Sequence, residues 1–189
     1  MKYLPVVQTA FSAKSLAAAR VLLPLFYVLL SLPLCVHAAG SLTLDSTSLA
    51  YQVTIPVDYT CDGKDISPEL EWKNPPANTQ SYVLMLADPD APGGTFYHWI
   101  LYNLPPALTN LPEGASSLPK GALTGQNSFG KNQYNGPCPP SGTSHRYVFS
   151  IYALNTVLKL ANGADAYAVI QAMQNHVIDV AELKLSFGH

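Results

Sequence analysis

The chain has 189 residues, a formal net charge of −2 and 48% hydrophobic residues. This length fits one domain, and the hydrophobic content is enough for a folded core, which excludes wholesale disorder. Charged residues make up only 12% of the chain and form no basic patch, which argues against binding nucleic acid through its phosphates. The 16 prolines and 12 glycines favour a β-rich fold with many turns over a helical one.

The N-terminal segment differs in composition from the rest of the chain. Three basic residues, Lys2, Lys14 and Arg20, and no acid precede the apolar run Val21–Val36, which is followed by His37 and the small residue Ala38. This pattern is typical of a secretory signal that is cleaved after Ala38. A retained membrane anchor is the alternative, but the run is shorter than the ~20 residues that span a bilayer. We predict a cleavable signal peptide over 1–38 and one mature domain over 39–189.

Export changes how the cysteines and charges are interpreted. Cleavage would leave the mature domain with seven basic and twelve acidic residues, and with Cys61 and Cys138 but not Cys35. An even number of cysteines in an exported domain predicts a disulfide between them, with two buried thiols as the alternative. We predict a periplasmic or secreted protein with no transmembrane segment after cleavage.

Two strands and a rigid loop are predicted in the first half of the mature domain. Tyr82–Ala87 is a continuous apolar run, and Phe96–Asn103 is rich in aromatic and β-branched residues, so both predict strands. The acidic, proline-rich segment 88–94 between them can continue neither a helix nor a central strand. Residues 105–144 are mostly turn formers, a pattern typical of functional loops or of loops wrapped against a sheet.

The second half has clearer periodicity. His145–Leu154 predicts a third strand, and Ala164–His176 has the spacing of an amphipathic helix. Ala181–Phe187 predicts a strand or a short helix–strand piece.

Familiar catalytic motifs are absent or incomplete. The segment Gly125–Asn132 resembles a phosphate-binding loop, but Asn132 stands where the hydroxyl residue is required and no helix can begin there. No nucleophile elbow, His-Glu-x-x-His or Cys-x-x-Cys motif is found in the sequence. Cys138 near His145 could form a nucleophilic pair, but its flanking prolines favour a structural cysteine. We therefore predict no catalytic residues.

Polar side chains lie close to the ends of the predicted strands. Asp88 and Asp90 are two residues apart and point to one side if the chain stays extended between them. His145 and Tyr147 share one face of the third strand for the same reason, and His98 lies in the strand after the acidic loop. Each has an ordinary structural explanation, such as an Asx turn or a satisfied core residue.

Considered together, these groups predict a small oxyanion pocket. Loop 135–140 offers backbone N–H groups, and Gly136 has no side chain to block a ligand. In this interpretation the carboxylates orient the imidazoles and favour their charged forms. Two histidines and two aspartates could instead bind a divalent metal ion.

Five motifs occur in an order that resembles one known family over about residues 41–187. They resemble the phosphatidylethanolamine-binding protein family, in its bacterial and archaeal Raf-kinase-inhibitor-like branch. The motifs are Tyr59–Gly63, Ser67–Leu70, Asp88–Pro92, Phe96–Trp99 and Gly136–Gly142 continuing to His145–Tyr147.

The resemblance implies a fold and a ligand site. The expected fold is mainly β, with antiparallel sheets in a Greek-key arrangement and a few peripheral helices. The expected site is a small pocket that binds phosphate-like, acetate-like or phosphoethanolamine head groups. Its residues by motif match are Asp88, Asp90, His98, Gly136, Pro139, His145 and Tyr147.

We predict an exported, non-enzymatic binding protein without a cofactor or metal ion, whose partner is a small anionic or phosphorylated ligand and not nucleic acid. Two alternatives stay open. One is inhibition of an extracytoplasmic protease or kinase. The other is a metal-dependent or histidine-based hydrolase that uses His98 and His145.

Overall fold

The computed structural model describes residues 41–50 and 52–189. The predicted signal peptide, residues 1–38, lies outside the described residues. Among the residues described, no helix is long and apolar enough to cross a bilayer.

Two antiparallel sheets form the framework of the domain. The smaller sheet has the strand order β1-β2-β5, and the larger has the order β6-β4-β3-β7-β8. The mainly β, antiparallel fold expected from the sequence is thereby confirmed. The strands are β1 (Thr43–Asp45), β2 (Leu70–Lys73), β3 (Ser81–Asp88), β4 (Phe96–Leu104), β5 (Asn110–Leu111), β6 (Leu123–Thr124), β7 (Ser144–Leu154) and β8 (Val177–Gly188).

Strand β3 lies at the centre of the larger sheet, and this position explains its continuous apolar sequence. Successive side chains of a strand point to opposite faces. Leu84 and Leu86 pack into the core shared with the smaller sheet, while Val83 and Met85 pack into a second core on the other face. A strand covered on both faces needs apolar residues at every position, so no alternation is visible.

The second core is covered by the α-helix α1 (Ala166–Met173). Asp165 caps its N-terminus by accepting a hydrogen bond from the backbone N–H of Ala168 at 2.8 Å. Its buried residues Val169 and Met173 face the sheet. The helix is shorter at both ends than the predicted range Ala164–His176, because Asp165 caps it and Gln174 leaves the helical conformation.

The three predicted strands of the larger sheet are confirmed as β3, β4 and β7, and the last predicted element is the strand β8. The irregular segment 105–144 is confirmed as mostly loop, with only two strands of two residues each. The sequence did not predict β1 or β2, because strands of three and four residues are too short to show a period.

The predicted disulfide is present. Cys61 and Cys138 are bonded, with their Cα atoms 5.5 Å apart and a sequence separation of 77. Cys61 follows a short 3₁₀ helix, Val57–Tyr59, and its backbone N–H donates to Pro137 O at 3.1 Å. The bond therefore fixes loop 135–140 to the 3₁₀-helical segment.

Candidate anion pocket

The polar residues meet where the central strands of the larger sheet end or begin. Strand β3 is antiparallel to both β4 and β7, so the end of β3 lies beside the starts of its two neighbours. Asp88 ends β3, where it pairs with Phe96, while His98 and His145 lie near the starts of β4 and β7. Topology alone brings these side chains together.

These side chains surround a cavity of about 270 Å³. Its lining combines the buried acid and the two imidazoles with proline and aromatic side chains from three loops. The lining residues are Asp88, Ala91, Pro92, Phe96, His98, Phe129, Cys138, Pro139, Pro140 and His145.

Asp88 and His145 form a buried pair. His145 Nδ1 donates to Asp88 Oδ2 at 2.7 Å, and the two side chains are only 9% and 5% exposed, respectively. The other ring nitrogen of His145, Nε2, lies 3.4 Å from the hydroxyl of Thr143. Because Asp88 holds Nδ1, Nε2 is the nitrogen of His145 that remains for a ligand.

His98 is held by main-chain groups instead of by a carboxylate. Its Nδ1 lies 3.0 Å from the carbonyl oxygens of both Asn135 and Gly136. Burial lowers the pKa of His98 below its ordinary value, and this effect outweighs the charge of Asp88. The expectation that neighbouring carboxylates would favour the charged form is therefore wrong for His98.

Aromatic rings fix the position of the His98 ring. Its centroid lies 5.1 Å from Phe96, 5.5 Å from Phe129 and 5.4 Å from Tyr147, in tilted or edge-on geometry. The imidazole is thus clamped by packing on several sides, which leaves it little freedom to turn.

Tyr147 is fully buried, and its hydroxyl lies near Asp88 and the backbone of Cys138 without forming a well-aligned hydrogen bond to any described residue. Burial, and then the negative charge of Asp88, raise the pKa of the phenol, so the hydroxyl keeps its proton. Trp72 Nε1 is the other buried polar atom without a partner in the described part of the chain. An unpaired buried hydroxyl is uncommon and marks a place where a further partner would be favourable.

Asp90 lies outside the pocket. The prediction that it faces the same side as Asp88 is wrong, because the chain turns at Pro89 and the N–H of Asp90 donates to Asp88 Oδ1 at 2.9 Å. The Asp90 carboxylate accepts from the backbone N and from Nε of Arg146, both at 2.9 Å. These hydrogen bonds lower the pKa of Asp90 from 3.8 to about 2.

Gly136 contributes to the pocket differently from the prediction. Its N–H donates to Asp65 Oδ1 at 2.6 Å, so this amide is not free to bind an anion. A Cβ at Gly136 would lie 2.4 Å from Tyr59 O, which shows that glycine is required for packing against that segment. Pro139 does line the cavity, and its carbonyl oxygen accepts from His189 Nε2 at 2.7 Å.

Sequence reasoning missed the residues that support His98. Asn127 Nδ2 donates to His98 O at 3.2 Å and to Asn135 Oδ1 at 2.9 Å, while Asn127 Oδ1 accepts from the backbone of Phe129 and Lys131. Asn127 lies in the glycine-flanked segment that resembles a phosphate-binding loop. Such a segment signals a turn but does not reveal which groups its asparagine will contact.

Two further observations bear on other kinds of site. Within residues 41–50 and 52–189, no three His, Cys, Asp or Glu side chains converge in a way that could hold a metal ion. A larger cavity of about 460 Å³ lies on the opposite face of the sheet, beside α1. It is mainly apolar, with Met85, Ile170 and Met173 in its lining, and it contains none of the predicted site residues.

Comparison with known proteins shows which family the chain belongs to. The family model for the phosphatidylethanolamine-binding protein matches residues 45–188. A UPF0098 protein of Methanothermobacter thermautotrophicus is 48% identical over 132 residues, which cover 68% of this chain and 87% of the relative. A UPF0098 protein of Pyrococcus horikoshii is 46% identical over 134 residues, covering 68% of each chain.

Solved structures show the same likeness. A phosphatidylethanolamine-binding protein homologue from Chlamydia trachomatis is 38% identical, with a TM-score of 0.72, and the match covers 79% of this chain and 98% of that one. The YbcL protein of E. coli, described as a member of the mammalian family, is 28% identical with a TM-score of 0.75 over 79% and 99% of the two chains. The chain belongs to the phosphatidylethanolamine-binding protein family.

Proposed function

We propose that this protein is an exported binding protein whose pocket takes phosphate or another small phosphorylated anion. The observation that carries the proposal is the convergence of the buried Asp88–His145 pair and of His98 on one cavity. At about 270 Å³ the cavity lies just below the ~300–1,000 Å³ of typical ligand pockets, which suits a small group.

One side-chain donor in the cavity lining can serve the anion. Protonated His145 donates from both ring nitrogens, so that Nδ1–H stays on Asp88 while Nε2–H is directed to the ligand. Tyr147, by contrast, does not line the cavity, and its buried hydroxyl lies close to the carboxylate of Asp88 and the backbone of Cys138. Burial of the pair strengthens such interactions, because they are shielded from water.

The name of the family is consistent with this chemistry. The family is named for binding phosphatidylethanolamine, whose head group contains a phosphate. This supports a phosphoryl ligand for the present chain without identifying which phosphate compound it takes.

Binding is a better account than covalent catalysis. Cys138, which is the thiol nearest to His145 in sequence, is bonded to Cys61 and therefore offers no nucleophilic sulfur. The imidazole of His145 has an acid partner in Asp88, but the Thr143 hydroxyl that lies 3.4 Å from its Nε2 donates its own proton to Pro140 O at 2.6 Å and does not line the cavity.

Export is supported by two independent features. The basic start and the apolar run Val21–Val36 are typical of a secretory signal, and the Cys61–Cys138 bond suits an oxidising compartment. Mass spectrometry of the protein from fractionated cells should find an N-terminus at Ala39. Soluble cytoplasmic protein that still begins at Met1 would refute export.

The binding proposal is tested by calorimetric titration of inorganic phosphate. We expect His145→Ala to bind at least about tenfold more weakly than the wild type, because a buried hydrogen bond to an anion is lost. His176→Ala is the matched control, since His176 is exposed and its Nδ1 contacts Asn155 outside the cavity. Equal affinity in all three proteins would place phosphate binding elsewhere, and no binding by the wild type would refute the proposal.

A further inference from the structure

The two imidazoles of the pocket have different hydrogen-bonding roles. His98 Nδ1 lies 3.0 Å from two carbonyl oxygens, which can only accept. Nδ1 must therefore carry a proton. In a neutral imidazole the other nitrogen then has a lone pair, so Nε2 of His98 is an acceptor. This nitrogen has no partner among the described residues, and His98 lines the cavity.

The fold fixes this tautomer. Asp65 holds the backbone that carries the two carbonyls, since it accepts from Gly136 N at 2.6 Å and from Asn135 Nδ2 at 3.3 Å. Asn127 holds the same loop from the other side through Asn135 Oδ1 at 2.9 Å. Burial also lowers the pKa of His98, which favours the neutral ring near neutral pH. Reversing the tautomer would take this donor away from the partly buried carbonyl of Asn135 and the buried carbonyl of Gly136.

The second fixed acceptor is Asp88. Its carboxylate is buried at the cavity wall, where Oδ2 accepts from His145 and Oδ1 accepts from the backbone of Asp90. Carboxylate oxygens have only lone pairs. A ligand that offers only accepting oxygen atoms would place its lone pairs next to those of His98 Nε2 and of Asp88, and these lone pairs repel each other.

An oxyanion that carries one hydrogen removes the conflict at His98, where it can donate to Nε2, while the Asp88 oxygens stay paired with His145 and the backbone of Asp90. Resting on the phosphate site proposed above, we infer that the pocket selects an oxyanion bearing its own proton, namely hydrogen phosphate, whose P–OH donates to Nε2 of His98. Sulfate lacks that proton near neutral pH, and so does the phosphodiester of an intact phospholipid. The pocket thus takes free phosphate in preference to a lipid head group.

Charge and size cannot produce the same selection. At about pH 8, hydrogen phosphate and sulfate are both tetrahedral and both carry two negative charges for most of the time. They differ in one hydrogen, so a difference in affinity reports a donor on the ligand and an acceptor in the protein. Sites that are built to hydrogen-bond a ligand OH discriminate strongly against analogues without it.

The test is calorimetric titration of the mature protein at about pH 8 with phosphate, sulfate and dimethyl phosphate, the last as the phosphodiester probe. We expect phosphate to bind at least about tenfold more tightly than either of the others. Equal affinity for phosphate and sulfate would overturn the inference while leaving the proposed anion site intact. Tighter binding of dimethyl phosphate would assign the site to lipid head groups. Failure of all three to bind at about pH 8, and of phosphate to bind near pH 6, would refute the proposed function itself.

A variant and a spectroscopic measurement assign the effect to His98. Folded His98→Ala should bind phosphate and sulfate with affinities within about threefold of each other, and persistent discrimination would contradict the role of His98. Because this variant can fail to fold, the ¹⁵N chemical shifts of the His98 ring are measured in the wild type at the same pH. An unprotonated Nε2 in the free protein is the expected result, and a protonated Nε2 with a bare Nδ1 would overturn the inference.

Discussion

Asp88 and Asp90 are two residues apart in one Asp-Pro-Asp motif, yet they occupy opposite environments. Asp88 is 5% exposed and pairs with His145 inside the pocket, whereas Asp90 is 30% exposed and pairs with Arg146 outside it. Their partners are adjacent residues of β7, whose side chains point to opposite faces. The turn at Pro89 thus distributes two identical acids to the two faces of the neighbouring strand.

The difference shows that environment decides the role of a carboxylate here. A buried acid with a fixed partner is costly to disturb, because removal of one member leaves the other without compensation. An exposed acid is screened by water and salt, and its pair with an arginine contributes little. Asp88 should therefore control both stability and ligand binding, and Asp90 should affect neither strongly.

The largest effect on stability should come from the disulfide, which lies beside the pocket. Cys138 lines the cavity, and its bond to Cys61 closes a loop of 77 residues. Replacing both cysteines by serine should cost about 4 kcal/mol of unfolding free energy in the chain-entropy model. Urea unfolding of the oxidised wild type and of the double variant measures this cost. A loss below about 1 kcal/mol would show that the loop is held by its other contacts.

Asp88→Ala should have the next largest effect. It removes the buried partner of His145 Nδ1, and breaking such a pair costs on the order of 3 kcal/mol. Urea unfolding near neutral pH gives the value, with Asp90→Ala as the matched control because it removes the same side chain from the outer face. Similar destabilisation by the two substitutions would contradict the distinction between the two acids.

Asp90→Asn should change stability little, and the change should depend on acid pH. The pKa of Asp90 is lowered from 3.8 to about 2 by its hydrogen bonds to Arg146. A lowered pKa stabilises the folded state above about pH 4, and this contribution disappears as the pH falls towards 2. Unfolding midpoints of wild type and variant should therefore differ slightly at pH 6 and converge near pH 2. A difference that grows with acidity would reverse the assigned sign.

His189 should give the smallest effect, with the opposite sign. Its Nδ1 donates to Asp62 Oδ2 at 2.8 Å and its Nε2 to Pro139 O at 2.7 Å, and both contacts raise the pKa of the imidazole. The stabilisation is complete below the ordinary value of 6.5 and is lost as the pH rises through the raised pKa. His189→Gln should unfold at a midpoint that varies less with pH between about 6 and 9. An unchanged pH profile would show that this contact contributes nothing.

The sequence predicted the parts of the fold that have a strong period or a strong local signal. The apolar run of β3 and the alternation of His145, Tyr147 and Phe149 in β7 were interpreted correctly, because strand geometry alone assigns those side chains to faces. The Cys61–Cys138 bond followed from the even count of cysteines in a domain that was expected to be exported.

The errors arose where backbone turns decide direction. An extended chain through Pro89 would have set Asp90 beside Asp88, but the hydrogen bond from Asp90 N to Asp88 Oδ1 makes a turn instead. The roles of Asp65 and Asn127 depend on contacts across long sequence separations, which no local pattern encodes.

The central claim is that Asp88, and not Asp90, serves the anion pocket. Calorimetric titration of phosphate into wild type, Asp88→Asn and Asp90→Asn at one pH near 6 tests it most directly. We predict that Asp90→Asn binds within about twofold of the wild type, while Asp88→Asn binds at least about tenfold more weakly because His145 loses its charged partner. An equal loss in both variants, or unchanged affinity in Asp88→Asn, would contradict the account.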